Sequence, residues 1–132
     1  MQSTANSYSD MAKFLLRIGE GVMMLTHGIP KLLDYTSKMD SFADPLGLGS
    51  QVSLALTIFA EVFCSLFVII GFKMRWFLIP LIITMLVASL VVNWDNPFRR
   101  MELGLIYLTI YLALLLLGPG RYSVDQISDK RD

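Results

Sequence analysis

The fold is decided by a stretch near the N-terminus, residues 12–33, which reads AKFLLRIGEGVMMLTHGIPKLL. It is long enough to cross a bilayer, whose core of about 30 Å takes about 20 helical residues. Steps of three and four residues place four ionisable side chains on one helical face, namely Arg17, Glu20, His27 and Lys31. A charge at the bilayer centre costs about 2.5–3.5 kcal/mol, so such residues normally face the protein interior or a wet cavity. This face is therefore the first place to look for function.

The composition indicates an integral membrane protein. The 132 residues are 55% hydrophobic, and the mean hydropathy is +0.59, which suits one domain but not an ordinary soluble one. Eleven basic and eleven acidic residues, with no basic block, exclude nucleic acid as an expected partner. Because Cys64 is the single cysteine, an internal disulfide and a thiolate metal cluster are excluded. We predict no metal site and no covalently bound cofactor.

Four apolar windows predict four membrane-spanning helices. The first is expected to be retained rather than cleaved as a signal peptide, because charges interrupt it and no small-residue cleavage site follows. Together the windows predict an all-α integral membrane protein, an antiparallel four-transmembrane-helix bundle. The predicted segments are a polar tail at 1–11, spans at about 12–33, 50–70, 76–92 and 102–117, and a polar tail at 118–132.

Basic residues in the flanking segments predict the orientation. An even number of spans places both termini on one side of the membrane. The terminal side carries six basic residues against four on the other, which favours cytoplasmic termini by the positive-inside rule. These are Lys13, Lys73, Arg75, Arg121, Lys130 and Arg131 against Lys31, Lys38, Arg99 and Arg100.

Glu61 is the one ionisable residue of the second window. A carboxylate near the bilayer centre must be protonated, paired or hydrated, and each state makes it sensitive to ligands. At about 1.5 Å per residue, Glu20 and His27 lie within about 4–6 Å of the midplane on either side of Glu61. If the first two helices are antiparallel neighbours, either His27 or the long Arg17 side chain reaches Glu61. Glu61 and His27 are thus the candidate catalytic, proton-handling residues.

Each polar residue also has a structural interpretation. Arg17 and Glu20 can form an i, i+3 ion pair that fixes helix packing. His27 can make an interhelical hydrogen bond. Lys31 and Glu102 lie near predicted helix ends, where a lysine reaches the headgroups and a glutamate favours a helix N-terminus.

The C-terminal sequence LLLLGPGRYSVD, residues 114–125, resembles the ending of DoxX-type membrane proteins. In these proteins a last hydrophobic span closes in a G-P-G-R-Y-S-hydrophobic-D sequence. The resemblance extends over nearly the whole chain. It includes Arg17 with Gly19, His27-Gly28, Lys31-Leu32, Glu61 and Glu102.

The resemblance implies a bacterial inner-membrane protein with a four-helix bundle. Some members are similar to a subunit of a thiosulfate:quinone oxidoreductase, and others are associated with quinone, catechol or oxidative stress responses. The positions that it carries over are Arg17, Lys31, Glu61 and Glu102. Family members often have a histidine near the end of the third span, where this chain has Asn93-Trp94, and a neutral amide cannot shuttle protons as an imidazole can.

The leading hypothesis is a membrane subunit that binds, or acts on, a quinone-like molecule. Glu61 and His27 would exchange protons, and Arg17, Glu20, Lys31 and Glu102 are the candidate binding residues for a quinone oxygen or a small anion. With no dinucleotide fingerprint in the sequence, electrons would have to come from a redox partner protein or a diffusible reductant, and whether the chain is an enzyme stays open. Tyr107 and Tyr111 are secondary candidates for an aromatic face.

Two other function classes are compatible with the sequence. The first is a non-catalytic membrane adaptor or assembly factor whose polar core is structural. The second is a small-solute or proton transporter, which is less favoured because four helices without an internal repeat would need oligomerisation to enclose a path.

Overall fold

The computed structural model describes residues 2–131, and the side chains of residues 4–128. Within this range the chain is helical and contains no strand. Met1 and Asp132, the outermost residues of the two predicted tails, lie outside the described residues. The helices are α1 (Gln2–Leu33), α2 (Tyr35–Lys38), α3 (Ser50–Ile70), α4 (Met74–Val92), α5 (Phe98–Leu117) and α6 (Val124–Arg131).

Three of these helices, α3, α4 and α5, are long and apolar enough to cross a membrane. The prediction of an all-α chain with membrane-spanning helices is therefore confirmed. Helix α1 is the longest, at 32 residues, and carries the charged face described above.

Helix α1 lies antiparallel to α3. The Arg17 side chain reaches the carbonyl groups of Val68 and Ile69 near the end of α3, whereas Lys31 reaches Glu61 nearer its middle. Two glycines on α1 allow the close approach, since a Cβ at Gly21 would meet Ile69 and a Cβ at Gly28 would meet Glu61.

The core is formed by the facing sides of the long helices, while many outer side chains are apolar and exposed. Buried core residues come from α1, α3, α4 and α5, and include Met24, Cys64, Val68, Leu78, Leu81, Tyr111 and Leu114. The outer faces present exposed residues such as Phe63, Leu66, Ile79, Ile83 and Leu112. Trp76 and Trp94 are 74% and 67% exposed at opposite ends of α4, as expected of side chains at two membrane interfaces.

Several predicted boundaries move. Residues 2–11, predicted as a tail, continue helix α1, because no proline or glycine interrupts the chain before residue 12. The predicted C-terminal tail contains the short helix α6. Helix α5 begins at Phe98 rather than at 102, because Pro97 supplies an extended N-cap conformation directly before it. Glu102 therefore lies one turn inside α5, not at its start.

Candidate functional site

The site is centred on an ion pair between Lys31 of α1 and Glu61 of α3. The Lys31 Nζ lies 2.6 Å from one carboxylate oxygen of Glu61 and 2.9 Å from the other. The Glu61 side chain is 5% exposed and that of Lys31 is 23% exposed. It is the one salt bridge in the part of the chain that the structure describes. The expectation that His27 or Arg17 would reach Glu61 is corrected, because Lys31 occupies both carboxylate oxygens.

A local change of helix type accompanies Glu61. Residues Phe59–Cys64 of α3 form a π-helical turn, and so do residues Val87–Val92 of α4. Such turns shift the side chains that follow them and are frequent at functional sites. The two π-helical turns flank the cavities described next, since Glu61 and Ala88 line both cavities.

The larger of these cavities, here called the Glu61 pocket, has a volume of about 280 Å³. It lies between α3, α4 and the loop 42–48. Its walls are mostly aliphatic, and its polar groups are Lys31, Glu61, Ser53, Thr57 and Thr84. It is therefore an apolar cavity with the ion pair at one edge.

The smaller cavity, here called the His27 pocket, has a volume of about 150 Å³ and lies on the other side of Glu61. His27 is half-buried in its wall and makes an edge-to-face contact with the ring of Tyr107, with 5.8 Å between the centroids. Asn93 also lines it, and its side-chain N–H donates to the Ala88 carbonyl at 2.8 Å. Thus Glu61 separates an apolar pocket from one that contains an imidazole.

Two buried polar atoms, Glu20 Oε2 and Ser89 Oγ, have no hydrogen-bond partner among the described residues, and Ser89 lines the His27 pocket. The hydroxyl groups of Ser65 and Tyr111 are also buried, and they lie close to each other. Glu20 lies within electrostatic range of the phenols of Tyr107 and Tyr111, whose rings stack at 6.1 Å. Because such groups normally bind protein or ordered water, this region can hold water between the helices.

Arg17 and Glu20 do not form the ion pair that their spacing suggested, since the described residues contain no contact between them within 4.0 Å. The Arg17 guanidinium is 1% exposed and donates to the carbonyls of Val68 and Ile69 at 3.4 and 2.6 Å, and to that of Tyr122. The Val68 carbonyl also accepts the Gly71 N–H at 3.1 Å, whereas the carbonyls of Ile69 and Tyr122 take their donor from Arg17. Carbonyls near a helix end lack an intrahelical donor, and they hold the guanidinium away from Glu20. Arg17 therefore lies apart from the two pockets. It connects its own helix, α1, to the end of α3 and to the C-terminal segment.

The predicted site residues thus separate into groups. The structure brings Glu61, Lys31 and His27 together, and it leaves Arg17 at a distance. Glu102 is exposed and lines neither pocket. Among the side chains described, those of residues 4–128, no three His, Cys, Asp or Glu groups converge on a point that a metal ion can occupy, and the absence of a metal stays a prediction.

Sequence reasoning missed two parts of the site. Arg100 lines the His27 pocket, and it was overlooked because α5 was expected to begin after it. The loop residues Phe42, Pro45 and Leu46 line the Glu61 pocket. These residues are apolar within an otherwise polar loop, and that pattern is the feature of the sequence that could have indicated their place in the pocket.

A family model described as DoxX matches residues 12–94, which is more than half of the chain. The chain belongs to the DoxX family. The matched segment contains Arg17, His27, Lys31 and Glu61, so it includes the ion pair and both π-helical turns. The resemblance stated from the sequence is confirmed, and with three apolar helices this DoxX chain is a multi-pass membrane protein. Neither curated proteins nor solved structures include a significant match to it.

The C-terminal sequence that resembles DoxX proteins, residues 114–125, lies beyond the matched residues. The structure shows which groups its polar atoms contact. We call residues 118–125 the C-terminal clasp. Its Asp125 carboxylate accepts the N–H groups of Lys73 and Met74 at 2.7 and 3.1 Å, which caps the start of α4. Its Tyr122 carbonyl accepts from Arg17. The clasp thereby ties the C-terminal segment to α1 and α4.

Gly28 of this DoxX chain controls how closely α1 approaches Glu61. A Cβ at Gly28 would lie 2.8 Å from both Glu61 Cβ and Val62 Cγ2, and 3.0 Å from the Glu61 carbonyl carbon. We expect Gly28→Ala to lower the free energy of unfolding by about 1–3 kcal/mol, as overpacking does. The measurement is SDS-induced unfolding in detergent micelles.

Gly19→Ala is the matched control, because a Cβ there meets no atom within 4 Å. In an open helical position alanine is more favourable than glycine by about 0.5–1 kcal/mol, so this variant should be neutral or more stable. Equal effects of the two substitutions would show that the contact at Gly28 does not limit packing.

Asp44 organises the loop that borders the Glu61 pocket. Its carboxylate accepts a 2.8 Å bond from the Ser53 hydroxyl and 2.9 Å bonds from the N–H groups of Leu48 and Gly49. The Ser53 bond and, next, the Gly49 N–H hold the pKa of Asp44 below its usual value. The folded loop therefore favours the ionised carboxylate.

This lowered pKa predicts a pH-dependent stability. The carboxylate stabilises the fold fully above the unfolded pKa of about 3.9, and that contribution is lost as pH falls through the lower folded pKa. We expect Asp44→Ala to melt below wild type at pH 7 and the difference to shrink below about pH 4. Thermal unfolding from pH 7 to pH 3 measures it. Asp40→Ala is the control, since Asp40 accepts a longer, 3.3 Å bond from the Gln51 amide, and an equal loss there would contradict the assignment.

Proposed function

We propose that this DoxX protein is a quinone- or redox-linked membrane subunit that binds a quinone-like ring in the Glu61 pocket. The observation that carries the proposal is the position of the Lys31–Glu61 pair at the edge of an apolar cavity of about 280 Å³. Small-molecule sites combine mostly apolar walls with a few polar groups and have volumes of about 300–1,000 Å³. The lining of the Glu61 pocket fits this description, and its volume lies just below that range.

The two charged groups suit the two chemical needs of a quinone. The Lys31 ammonium can donate a hydrogen bond to a quinone oxygen, and the Glu61 carboxylate can accept or return a proton. Reduction of a quinone to a quinol takes up two electrons and two protons. His27 lies on the other side of Glu61, in the smaller pocket, and is the candidate for exchanging protons with it.

We further propose that α1 crosses the membrane with the three apolar helices, giving an antiparallel four-span bundle. Its antiparallel contact with α3 supports this arrangement. The partners of its charged side chains support it as well. Lys31 is paired with Glu61, and Arg17 is buried on backbone carbonyls, which reduces the cost of placing charges in the bilayer. The basic residues on the terminal side favour cytoplasmic termini, and the resemblance to DoxX proteins implies the bacterial inner membrane.

Electrons for this chemistry would come from a redox partner protein or a diffusible reductant. The described part of the chain has a single cysteine, Cys64, which is buried, and the sequence has no dinucleotide-binding fingerprint. In this proposal a redox partner protein docks on an outer helical face. The chain can also associate with further copies of itself. The chain would then supply the quinone pocket and the proton route.

The test is ligand-induced thermal stabilisation of the detergent-purified protein with short-chain benzoquinones, naphthoquinones, their quinols and thiosulfate. A ligand at 100 times its Kd stabilises by about 2.7 kcal/mol, so we expect a rise in Tm of several degrees with one quinone class. Each variant is compared with its own ligand-free Tm. We expect the rise to disappear in Glu61→Gln.

Glu102→Gln is the matched control, because it makes the same chemical change on an exposed residue that lines neither pocket. It should keep the full rise. A rise of equal size in Glu61→Gln, or none in wild type, would reject the quinone site.

The alternative is a non-catalytic adaptor or assembly factor with a structural polar core. The observation that favours it is that Lys31 and Glu61 neutralise each other in the ligand-free protein. In that case Glu61→Gln leaves partner binding intact, and crosslinking in membranes should capture the same partners from wild type and variant.

A further inference from the structure

A third cavity lies at the opposite end of the helices from the Glu61 pocket, and neither the quinone proposal nor the family match accounts for it. Its volume is about 430 Å³. The first turns of α1, the start of α4, the end of α5 and the C-terminal clasp meet around it. We call it the clasp pocket.

The lining of the clasp pocket is strongly cationic. Lys13, Arg75 and Arg121 line it, and Asp10 is the one carboxylate that does so. The Asp10 carboxylate already accepts the backbone N–H of Arg121 at 3.2 Å. Among the described residues, no carboxylate lies within 4.0 Å of any of the three cationic groups. Within the described side chains, the three cationic groups therefore have no carboxylate in ion-pair contact.

The backbone of the clasp makes room for these cations. Gly118 and Gly120 have φ values of 86° and 83°, a region that favours glycine. A Cβ at Gly118 would lie 3.1 Å from the Arg75 guanidinium, and one at Gly120 would lie 3.0 Å from Lys13 Cβ. The Arg75 Nε also donates to the Leu115 carbonyl at 3.0 Å, which fixes the guanidinium at the pocket. Arg75 and Arg121 are exposed and Lys13 is half-buried, and the two glycines with the Arg75–Leu115 bond hold the backbone and one guanidinium at the pocket.

The clasp pocket lies at one end of the helices, and this position favours an anion found at the membrane interface. Arg75 is followed directly by Trp76, whose exposed ring marks the membrane interface at this end of α4. Leu116, at the end of α5, is 83% exposed beside the pocket-lining Leu117. The pocket thus lies at the end of the helices where exposed apolar residues, Trp76 and Leu116, follow or precede its lining residues in the sequence. The planar guanidinium group of arginine and the ammonium group of lysine both bind phosphate oxygens.

We propose that the clasp pocket binds a phosphate-bearing anion of the kind that an anionic phospholipid headgroup presents. Binding would bring negative charge to Lys13, Arg75 and Arg121 together and would stabilise the junction of the clasp with α1 and α4. The site does not depend on the quinone proposal, since it lies on different residues at the other end of the helices.

The experiment measures Tm in a neutral detergent with dihexanoyl phosphatidylglycerol, dihexanoyl phosphatidylcholine or inorganic phosphate added. We expect phosphatidylglycerol to raise Tm by several degrees and phosphatidylcholine to leave it unchanged, because the zwitterionic headgroup brings no net charge. A rise with inorganic phosphate at similar concentration would identify a free anion as the ligand. A rise with phosphatidylglycerol alone would identify the headgroup.

Lys13→Gln/Arg121→Gln is the test variant, and Arg75 is left in place because it also bonds to the α5 backbone. We expect the rise to fall at least fivefold in this variant, and to return with the charge-conserving Lys13→Arg/Arg121→Lys, which also controls for folding. Lys38→Gln/Arg99→Gln is the matched control, since it removes the same charges at the other end of the helices. The proposal is overturned if wild type shows no rise, if the control loses it equally, or if the test variant keeps it.

Discussion

Arg17→Met is expected to lower the free energy of unfolding by about 3 kcal/mol. The guanidinium is 1% exposed and supplies donors to the carbonyls of Val68, Ile69 and Tyr122. The Val68 carbonyl keeps the Gly71 N–H, whereas the carbonyls of Ile69 and Tyr122 lose the donor that Arg17 supplies. A buried acceptor left without a donor costs about 1–3 kcal/mol, and the gain from no longer burying a charge offsets part of that cost. SDS titration in dodecylmaltoside micelles, followed by far-UV circular dichroism, measures the change.

Two further variants make this prediction specific. Arg17→Lys keeps the charge but loses the planar fork, so it should recover less than half of the lost stability. Arg99→Met removes an exposed arginine and should change stability by no more than about 0.5 kcal/mol. Full recovery with lysine would mean that the charge, and not the geometry of three carbonyl bonds, explains the burial of Arg17.

Lys31→Met is expected to cost about 3 kcal/mol, because it leaves the Glu61 carboxylate buried without its partner. Removing one member of a buried ion pair typically costs about 3–5 kcal/mol. The lower end applies here because the Lys31 side chain is 23% exposed. Lys38→Met is the control, since Lys38 has no carboxylate within 4.0 Å in the described residues, and it should change stability by no more than about 0.5 kcal/mol.

The double variant Lys31→Met/Glu61→Gln separates the pair from its members. With both charges gone, no uncompensated charge remains buried, so at least half of the loss seen in Lys31→Met should be recovered. The same unfolding assay on wild type, both single variants and the double variant completes the cycle. Simple addition of the two single losses would show that Lys31 and Glu61 do not stabilise each other.

These predictions separate structural roles from functional ones. Arg17 was a candidate binding residue because of its place on the charged face of α1, and the structure assigns it to backbone carbonyls. Glu61 pairs with Lys31 of α1 and also lines both pockets, so its structural role has to be separated from the ligand-binding role proposed for it. A loss of ligand response in Glu61→Gln is therefore interpreted only in protein that is still folded, with Glu102→Gln beside it.

Much of the outline follows from patterns that are local in sequence. Apolar windows of about 20 residues predicted α3 and α4 to within two residues, because length and hydropathy are properties of one segment. The three- and four-residue spacing on α1 placed Arg17, Glu20 and Lys31 on inward or half-buried positions. The sequence at 114–125 indicated the DoxX family because its motif is also contained in one continuous segment.

The partners of the charged groups were not predictable in this way. Spacing favoured Arg17 with Glu20, but the end of α3 and the clasp offered carbonyls from residues 51 or more positions away. The π-helical turn around Glu61 was likewise invisible, because a window of sequence indicates a 3.6-residue period and not a local departure from it. The apolar window placed the start of the fourth span at Glu102, whereas Pro97 sets the start of α5 at Phe98.

The sequence by itself determined that this is an all-α membrane protein of the DoxX type, with a charged face on its first helix and one carboxylate in its second. These properties depend on hydropathy and spacing within single segments. Only the tertiary structure decided that Lys31 pairs with Glu61, that Arg17 holds the clasp, and that two pockets meet at Glu61. The physical reason is that buried charges take their partners from whichever segments packing brings within a few ångströms, and packing joins residues that are far apart in the chain.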